Sequence, residues 1–165
     1  MSFRNIASVL LTLQLGLAFH LTAASAQQAD DTAFASLQER GQRVMGVDQY
    51  TSAHRFDDLP EGGRIELRQS QPDSAGVAAI RAHLRGIARA FTAGDFTIPG
   101  MVHAGAVPGT SIMAAKRGVI EYRFRPLDGG GEVRITTRDS EALRAIHEFL
   151  SFQRREHHAG GRQAH

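Results

Sequence analysis

The chain has no cysteine and no tryptophan, and its single lysine, Lys116, stands among 19 basic residues that are otherwise all arginine. Without cysteine there are no disulfides, no thiolate nucleophile, no zinc-finger site and no cysteine-held iron–sulfur cluster. An excess of charge of one sign is missing too. The 19 basic side chains meet 17 acidic ones, for a net charge of +2. That excludes the concentrated basic surface nucleic-acid binding requires, so no nucleic-acid partner is expected. The high isoelectric point, about 9.6, reflects arginines that stay protonated at any accessible pH. Standard catalytic signatures are also absent: no G-x-S-x-G elbow, Walker loop or paired acidic metal motif occurs. His147-Glu148 opens like H-E-x-x-H, but position 151 is serine. Asp57 and Asp58 are neighbours on an expected strand and point to opposite faces, so they cannot act as a carboxylate pair. What is present, 42% hydrophobic and 22% charged residues in 165, is the composition of one globular domain.

The N-terminus reads as an export leader. Arg4 is followed by an apolar stretch from Ile6 to about Leu21 and then by Ala24-Ser25-Ala26, a small-x-small cleavage pattern. Thr12, Gln14 and His20 interrupt the stretch, which is too short to span a bilayer. The expectation is a signal peptide over 1–26, a domain over 27–158 and a polar tail over 159–165. The product would be exported, periplasmic or extracellular, with no membrane insertion after cleavage.

A duplication organises the remainder. His54 to Arg68, HRFDDLPEGGRIELR, aligns without gaps on Tyr122 to Thr136, YRFRPLDGGGEVRIT, at an offset of 68 residues. Arg55, Phe56, Leu59, Gly62 and Gly63 recur as Arg123, Phe124, Leu127, Gly130 and Gly131. Downstream, Asp73-Ser74 matches Asp139-Ser140 and Leu84 matches Leu150. Each unit, about 50–92 and 119–158, reads as strand, glycine-rich turn, strand, helix. Apolar residues alternate with Arg64, Glu66, Arg123, Arg125, Glu132 and Arg134 along the strands, giving one greasy and one charged, solvated face. Asp73 and Asp139 are natural N-caps. Val77, Ile80, Leu84, Ile87 and Phe91 form one helical stripe, and Leu143, Ile146 and Leu150 form the other. The expected fold is α+β, a two-layer sandwich with a four-stranded antiparallel sheet from two ββα units and both helices on one face. A further helix is expected at about Asp31 to Arg43, covering an edge. The segment 93–118 belongs to neither unit and is expected to be a functional or mobile insertion.

Seven histidines follow the leader, and in a chain without cysteine they are the candidates for metal ligation or proton transfer. His157, His158 and His165 fall in the polar C-terminal stretch and read as solvated. His54 shares inward strand parity with Phe56. His83 lies on the flank of its stripe that corresponds to Phe149, hence toward the seam between the helices, whereas His147 lies on the other flank. His103 sits in the insertion, close to Met101 and ahead of Met113. A metal set of His54, His83 and His103, with Met101 or Met113 as a further ligand and His147 as a lesser candidate, would suit copper or zinc. Hydrogen-bonded structural histidines are the competing reading.

MGVDQYTSAHRFDDLPEGGRIEL, DFTIPGMVH and AIHEFLSFQ together resemble a family of short, uncharacterised exported bacterial proteins, over about residues 37–158. The resemblance implies no activity. It implies only that the segments holding His54, His103 and His147 are shared with that family. Three functional expectations follow: a periplasmic binding protein for a metal ion or small ligand, a ligand-free interaction or accessory module, and, third, a His-centred metal-dependent hydrolase.

Overall fold

A computed structural model describes residues 28–44, 46 and 51–159. The expected leader over 1–26, most of the tail and His165 lie outside them. The chain divides into two units, Met1–Ser36 and Leu37–His165. Residues 28–44 are helical (α1), so the N-terminal helix begins a few residues before its expected start. Among the described residues no helix is long and apolar enough to cross a membrane.

The second unit is built on two hairpins with two-residue turns. Strands β1 (Ser52–Leu59) and β2 (Gly62–Gln69) form the first, and β3 (Ile120–Leu127) and β4 (Gly130–Thr137) the second. The sheet is antiparallel throughout in the order β1-β2-β4-β3. Phe56 faces Ile65 in one hairpin and Phe124 faces Val133 in the other, the same register at the 68-residue offset. At the centre Ile65 faces Val133. These residues are themselves related by the offset, so a pseudo-twofold axis passes between them.

Glycines make that centre possible. A Cβ on Gly62 would stand 2.0 Å from the Ile135 carbonyl oxygen, and one on Gly130 would stand 2.0 Å from that of Leu67. The next pair lies beneath the helices, where a Cβ on Gly63 would meet Leu150 Cδ1 at 2.2 Å and one on Gly131 would meet Leu84 Cδ1 at 3.2 Å. Turn conformation alone, the reason suggested by sequence, accounts for Gly129 with φ +71°. The Gly-Gly pairs are required chiefly by close approach.

Helices α2 (Ser74–Thr92) and α5 (Ser140–Glu156) open on Asp73, which accepts from the Ala75 N–H, and Asp139, which accepts from Glu141 and Ala142. Each helix crosses to the other unit's hairpin. Helix α2 lies chiefly over β4 and β3, and α5 over β1 and β2. Ile80, Leu84, Ile87 and Phe91 are buried from α2, and Ala142, Ala145, Ile146, Phe149 and Leu150 from α5. Each fully buried leucine or isoleucine contributes about 1.5–3 kcal/mol. The α5 stripe is rotated from its expected setting: Leu143 is only half-buried while Ala142 and Ala145 are covered.

The insertion supplies that cover. It folds as α3 (Thr97–His103), α4 (Thr110–Ala115) and one 3₁₀ turn. Helix α4 packs on α5 through Gly109, where a Cβ would lie 2.2 Å from Ala145 O, and sends Met113 fully into the core. Lys116 bonds Asp139 and Glu141 at 2.8 Å each, tying the insertion to the start of α5. Arg40 of α1 donates from Nε to Val102 O of α3 at 2.7 Å.

The charged sheet face is less solvated than its pattern suggests. Asp57 is 1% exposed beneath Arg55 and Arg64, and Glu66 and Glu132 are buried beside Arg64, Arg68 and Arg125. Long guanidinium side chains lie over the shorter carboxylates, so the acids are covered by their partners. Asp58, on the opposite face, takes both guanidinium N–H groups of Arg154 of α5 at 2.9 and 2.8 Å.

Candidate functional site

Strand parity turns His54 and Phe56 toward the helices. On α2 the residue before the buried Leu84 is His83. Helix α3 presents Ile98, Pro99, Val102 and His103, with Pro99 in the first turn, where a missing N–H is tolerated. From α5 come Phe149 and Gln153, and from its C-cap His157. These residues, with Ile65, Leu67, Ile87 and Phe91, wall one cavity of about 60 Å³. Four imidazoles from four elements therefore meet in a lining that is otherwise almost wholly apolar.

His157 was expected to be solvated, and the structure corrects this. It stands seven residues after Leu150, so it continues the buried column of α5 rather than starting a free tail. The helix ends in a Schellman turn: Ala159 N–H bonds Arg154 O at 3.0 Å, His158 N–H bonds Arg155 O at 3.3 Å, and His158 takes the left-handed φ of +47°. The His157 ring thereby stacks on His54, centroids 5.4 Å and planes 11° apart, and meets His103 edge-on at 5.2 Å. His158 is exposed. Continuation of the helical period past Gln153 is the signal that identifies His157.

Burial sets the protonation of these rings. It lowers His54 and His83 to about 4, with the neighbouring His83 further depressing His54. It lowers His157 to about 3, with repulsion from His54, His103 and His158 adding to the effect. His103 is lowered by burial and by Arg40, against an opposing hydrogen bond to Gln153 and the charge of Glu156. All four are neutral near pH 7.

Two ring nitrogens are buried without a hydrogen-bond partner, His54 Nε2 and His103 Nδ1. For His103 the tautomer follows from its neighbour. Nε2 lies 3.1 Å from Gln153 Oε1. An amide oxygen only accepts, so Nε2 carries the proton and Nδ1 is a bare lone pair. Tyr122, at the position equivalent to His54, also has an unpartnered buried hydroxyl, held protonated by burial, but it does not line this cavity.

The other candidates lie elsewhere. His147 Nε2 sits 3.0 Å from Leu59 O and 2.9 Å from Gly62 O. With two carbonyls as neighbours that nitrogen must be the donor, so His147 clamps the β1–β2 turn and cannot ligate through it. Met113 is consumed by the core under α4, and Met101 is 48% exposed. Neither lines the cavity. Among the described residues no group of three or more His, Cys, Asp or Glu side chains is placed to hold a metal ion. The structure brings His54, His83 and His103 to one cavity without such an arrangement.

Comparison with known proteins adds no family to this geometry: no family model matches the chain, and no curated protein or solved structure matches it.

Proposed function

We propose that this chain is an exported binding protein for a small organic molecule, held in the cavity between β1, α2, α3 and the C-terminal end of α5. The observation that carries the reading is the pair of unpartnered imidazole nitrogens, His54 Nε2 and His103 Nδ1, buried in the walls of one apolar cavity. Leaving such an atom unsatisfied costs about 1–3 kcal/mol, which a ligand's polar group would recover. Pockets with mostly apolar walls and a few polar atoms are the common form of small-molecule sites. Of the two branches expected from the sequence, metal ion and small ligand, the cavity favours the second, since its imidazoles are not arranged as a ligand set. It also favours binding over hydrolysis. Imidazoles with pKa values of about 4 and 3 are weak general bases near neutral pH. Residues 1–26 support the export part of the reading.

The test is a screen of neutral fragments by ligand-observed NMR on chain purified without a histidine tag, repeated on Val102→Phe, which adds a ring to the α3 wall. Thermal unfolding of the variant controls for its folding. Binding to the wild type that is lost in a folded Val102→Phe supports the reading. Equal binding by both proteins, or copper or zinc binding that depends on His54 and His103, overturns it.

A further inference from the structure

The pseudo-twofold relation gives the sheet two equivalent edges, β1 and β3, and the chain finishes them differently. Thr137 N–H bonds Glu61 O at 2.9 Å and Gln69 N–H bonds Gly129 O at 2.8 Å, so odd-numbered residues of β4 bond toward β2 and even-numbered ones toward β3. Those even residues face the odd residues of β3. The main-chain groups of Ile120, Tyr122, Phe124 and Pro126 therefore turn outward, and among the described residues no further main-chain hydrogen bond reaches them. Pro126 lacks an N–H at an outward position, where its absence costs the ladder nothing. On β1 the same reasoning turns Phe56 outward, and there Arg154 of α5 donates to Phe56 O at 2.8 Å. Arg154 stands four residues after Leu150. The residue four after the equivalent Leu84 is Ala88, whose side chain has nothing to donate, so the edge of β3 stays open.

The surroundings of that edge are basic. Arg123 and Arg125 of β3 are 72% and 66% exposed on the outer face, and on the helix side Arg85 of α2 lies over the Phe124 ring at 4.6 Å. Arg123 pairs with Glu121 at 2.7 Å, whereas Arg125 reaches the buried Glu132 only at 3.5 Å. At the start of the strand Val119 is 54% exposed, in a groove shared with Thr92 and Tyr122. An unpaired strand edge is a template for another strand. Because an added strand turns alternate side chains to opposite faces, acidic side chains on one face would meet Arg123 and Arg125, and apolar ones on the other would meet Phe124 and Val119.

We propose that the open edge of β3 docks a partner protein by strand addition, pairing with an extended segment in which acidic and apolar residues alternate. The main chain of Tyr122 and Phe124 holds the segment, and Arg123 and Arg125 select its charge. A second copy of this chain fits less well. Antiparallel pairing of two β3 strands about Arg123 sets Arg123 against Arg123, and Glu121 is the strand's only acid. The surface is separate from the cavity and does not depend on what the cavity binds.

The experiment titrates the full chain with three end-blocked six-residue peptides: one alternating glutamate and valine, one alternating lysine and valine, and the glutamate peptide with every amide N-methylated. The glutamate peptide is expected to bind and to protect the Tyr122 and Phe124 amides from hydrogen exchange. The lysine peptide should bind about tenfold more weakly, as two or three exposed ion pairs would give, and the methylated peptide should not bind. Arg123→Gln combined with Arg125→Gln, both at exposed side chains, should weaken the glutamate peptide about fivefold while urea unfolding shows the variant folded. No binding of the glutamate peptide, equal binding of the lysine peptide, binding that survives methylation, or protection that spares the two amides overturns the inference. So does protection of those amides in the chain without peptide, since a second copy or another part of the chain would then hold the edge. Each of these results leaves the cavity reading untouched.

Discussion

The buried histidines make this structure sensitive to mild acid. His54 and His83 titrate at about 4 and His157 at about 3 in the folded chain, against about 6.5 for an unfolded histidine. Folded values below the unfolded one mean that the unfolded chain binds more protons, so stability is full above about pH 6.5 and falls as pH drops toward 4. At pH 5 each of the three rings is still neutral when folded and almost wholly protonated when unfolded, a loss of about 2 kcal/mol apiece. Together the loss is about 6 kcal/mol, comparable with the whole net stability of many domains. His103 adds to it in the same direction. Lifting α3 and the end of α5 off the sheet would release the rings at lower cost than global unfolding, which caps the loss. The carboxylates held low by their partners, Glu61, Asp95 and Asp139, have ordinary values near 4 and act mainly below pH 5. The window from 6.5 to 5 therefore isolates the histidines. Urea unfolding at half-unit intervals should show stability falling by up to about 4 kcal/mol per pH unit, about 1.4 for each proton taken up. His83→Phe, which places at 83 the side chain found at the equivalent Phe149, should reduce the uptake by about one proton. Constant stability across the window, or an unchanged slope in His83→Phe, would refute the buried-neutral account.

Two further outcomes concern the frame that carries the cavity. Asp58→Ala removes the carboxylate paired with the Arg154 side chain, which is 9% exposed and still donates to Phe56 O, and should cost about 3 kcal/mol in denaturant unfolding; Asp58→Ala combined with Arg154→Met should recover most of it, and a loss below 1 kcal/mol for the single change would show the pair to be dispensable. Gly62→Ala or Gly130→Ala drives a methyl onto a neighbouring backbone carbonyl and should cost at least about 3 kcal/mol, whereas Gly86→Ala, with open space around it on α2, should gain about 0.5–1 kcal/mol; thermal unfolding of the three variants checks the order, and similar melting temperatures would contradict the close approach at the sheet centre.

Hairpins, caps and helix face were legible because each rests on a local rule: alternation at period two, an aspartate before a helical stripe, glycines where the strand reverses. The crossing of α2 and α5 onto each other's hairpins was not. A stripe such as Ile80-Leu84-Ile87-Phe91 shows which face is buried and carries no information about which strands lie beneath it. The short helices were illegible for a related reason. Helix α4 has six residues and no side-chain cap, too little to form by propensity, and it is held by Met113 and by Gly109 against α5. At the site, strand parity and helical angle bear on His54 and His83 from sequence alone. The same angular reasoning separated His147 from the seam, but the two carbonyls of the β1–β2 turn that occupy its Nε2 are a tertiary fact. His157 was readable and misread, because the composition of HHAGG suggests a tail while position 157 still belongs to the helical column.

The pseudo-twofold axis relates the cavity's histidines to aromatic residues of the other repeat. Symmetry makes two equivalent places, and the aligned residues differ between them: His54 corresponds to Tyr122 and His83 to Phe149. Around Tyr122 and Phe149 the core is aromatic, with Phe91 edge-on to both at 5.6 and 5.8 Å and Phe96 stacked on Phe91 at 4.4 Å. The fold therefore has a working solution for position 83 in a purely apolar ring. A second phenylalanine at 83 would avoid the cost of a desolvated imidazole and the acid sensitivity that accompanies it. The insertion occurs once, between the units, and α3 adds His103 to the cavity that His54 and His83 line together with Phe91 and Phe149. Three departures from the symmetric core thus coincide at one cavity, each unfavourable for packing alone. The proposed occupant would fill the space, satisfy the bare nitrogens and favour the neutral rings.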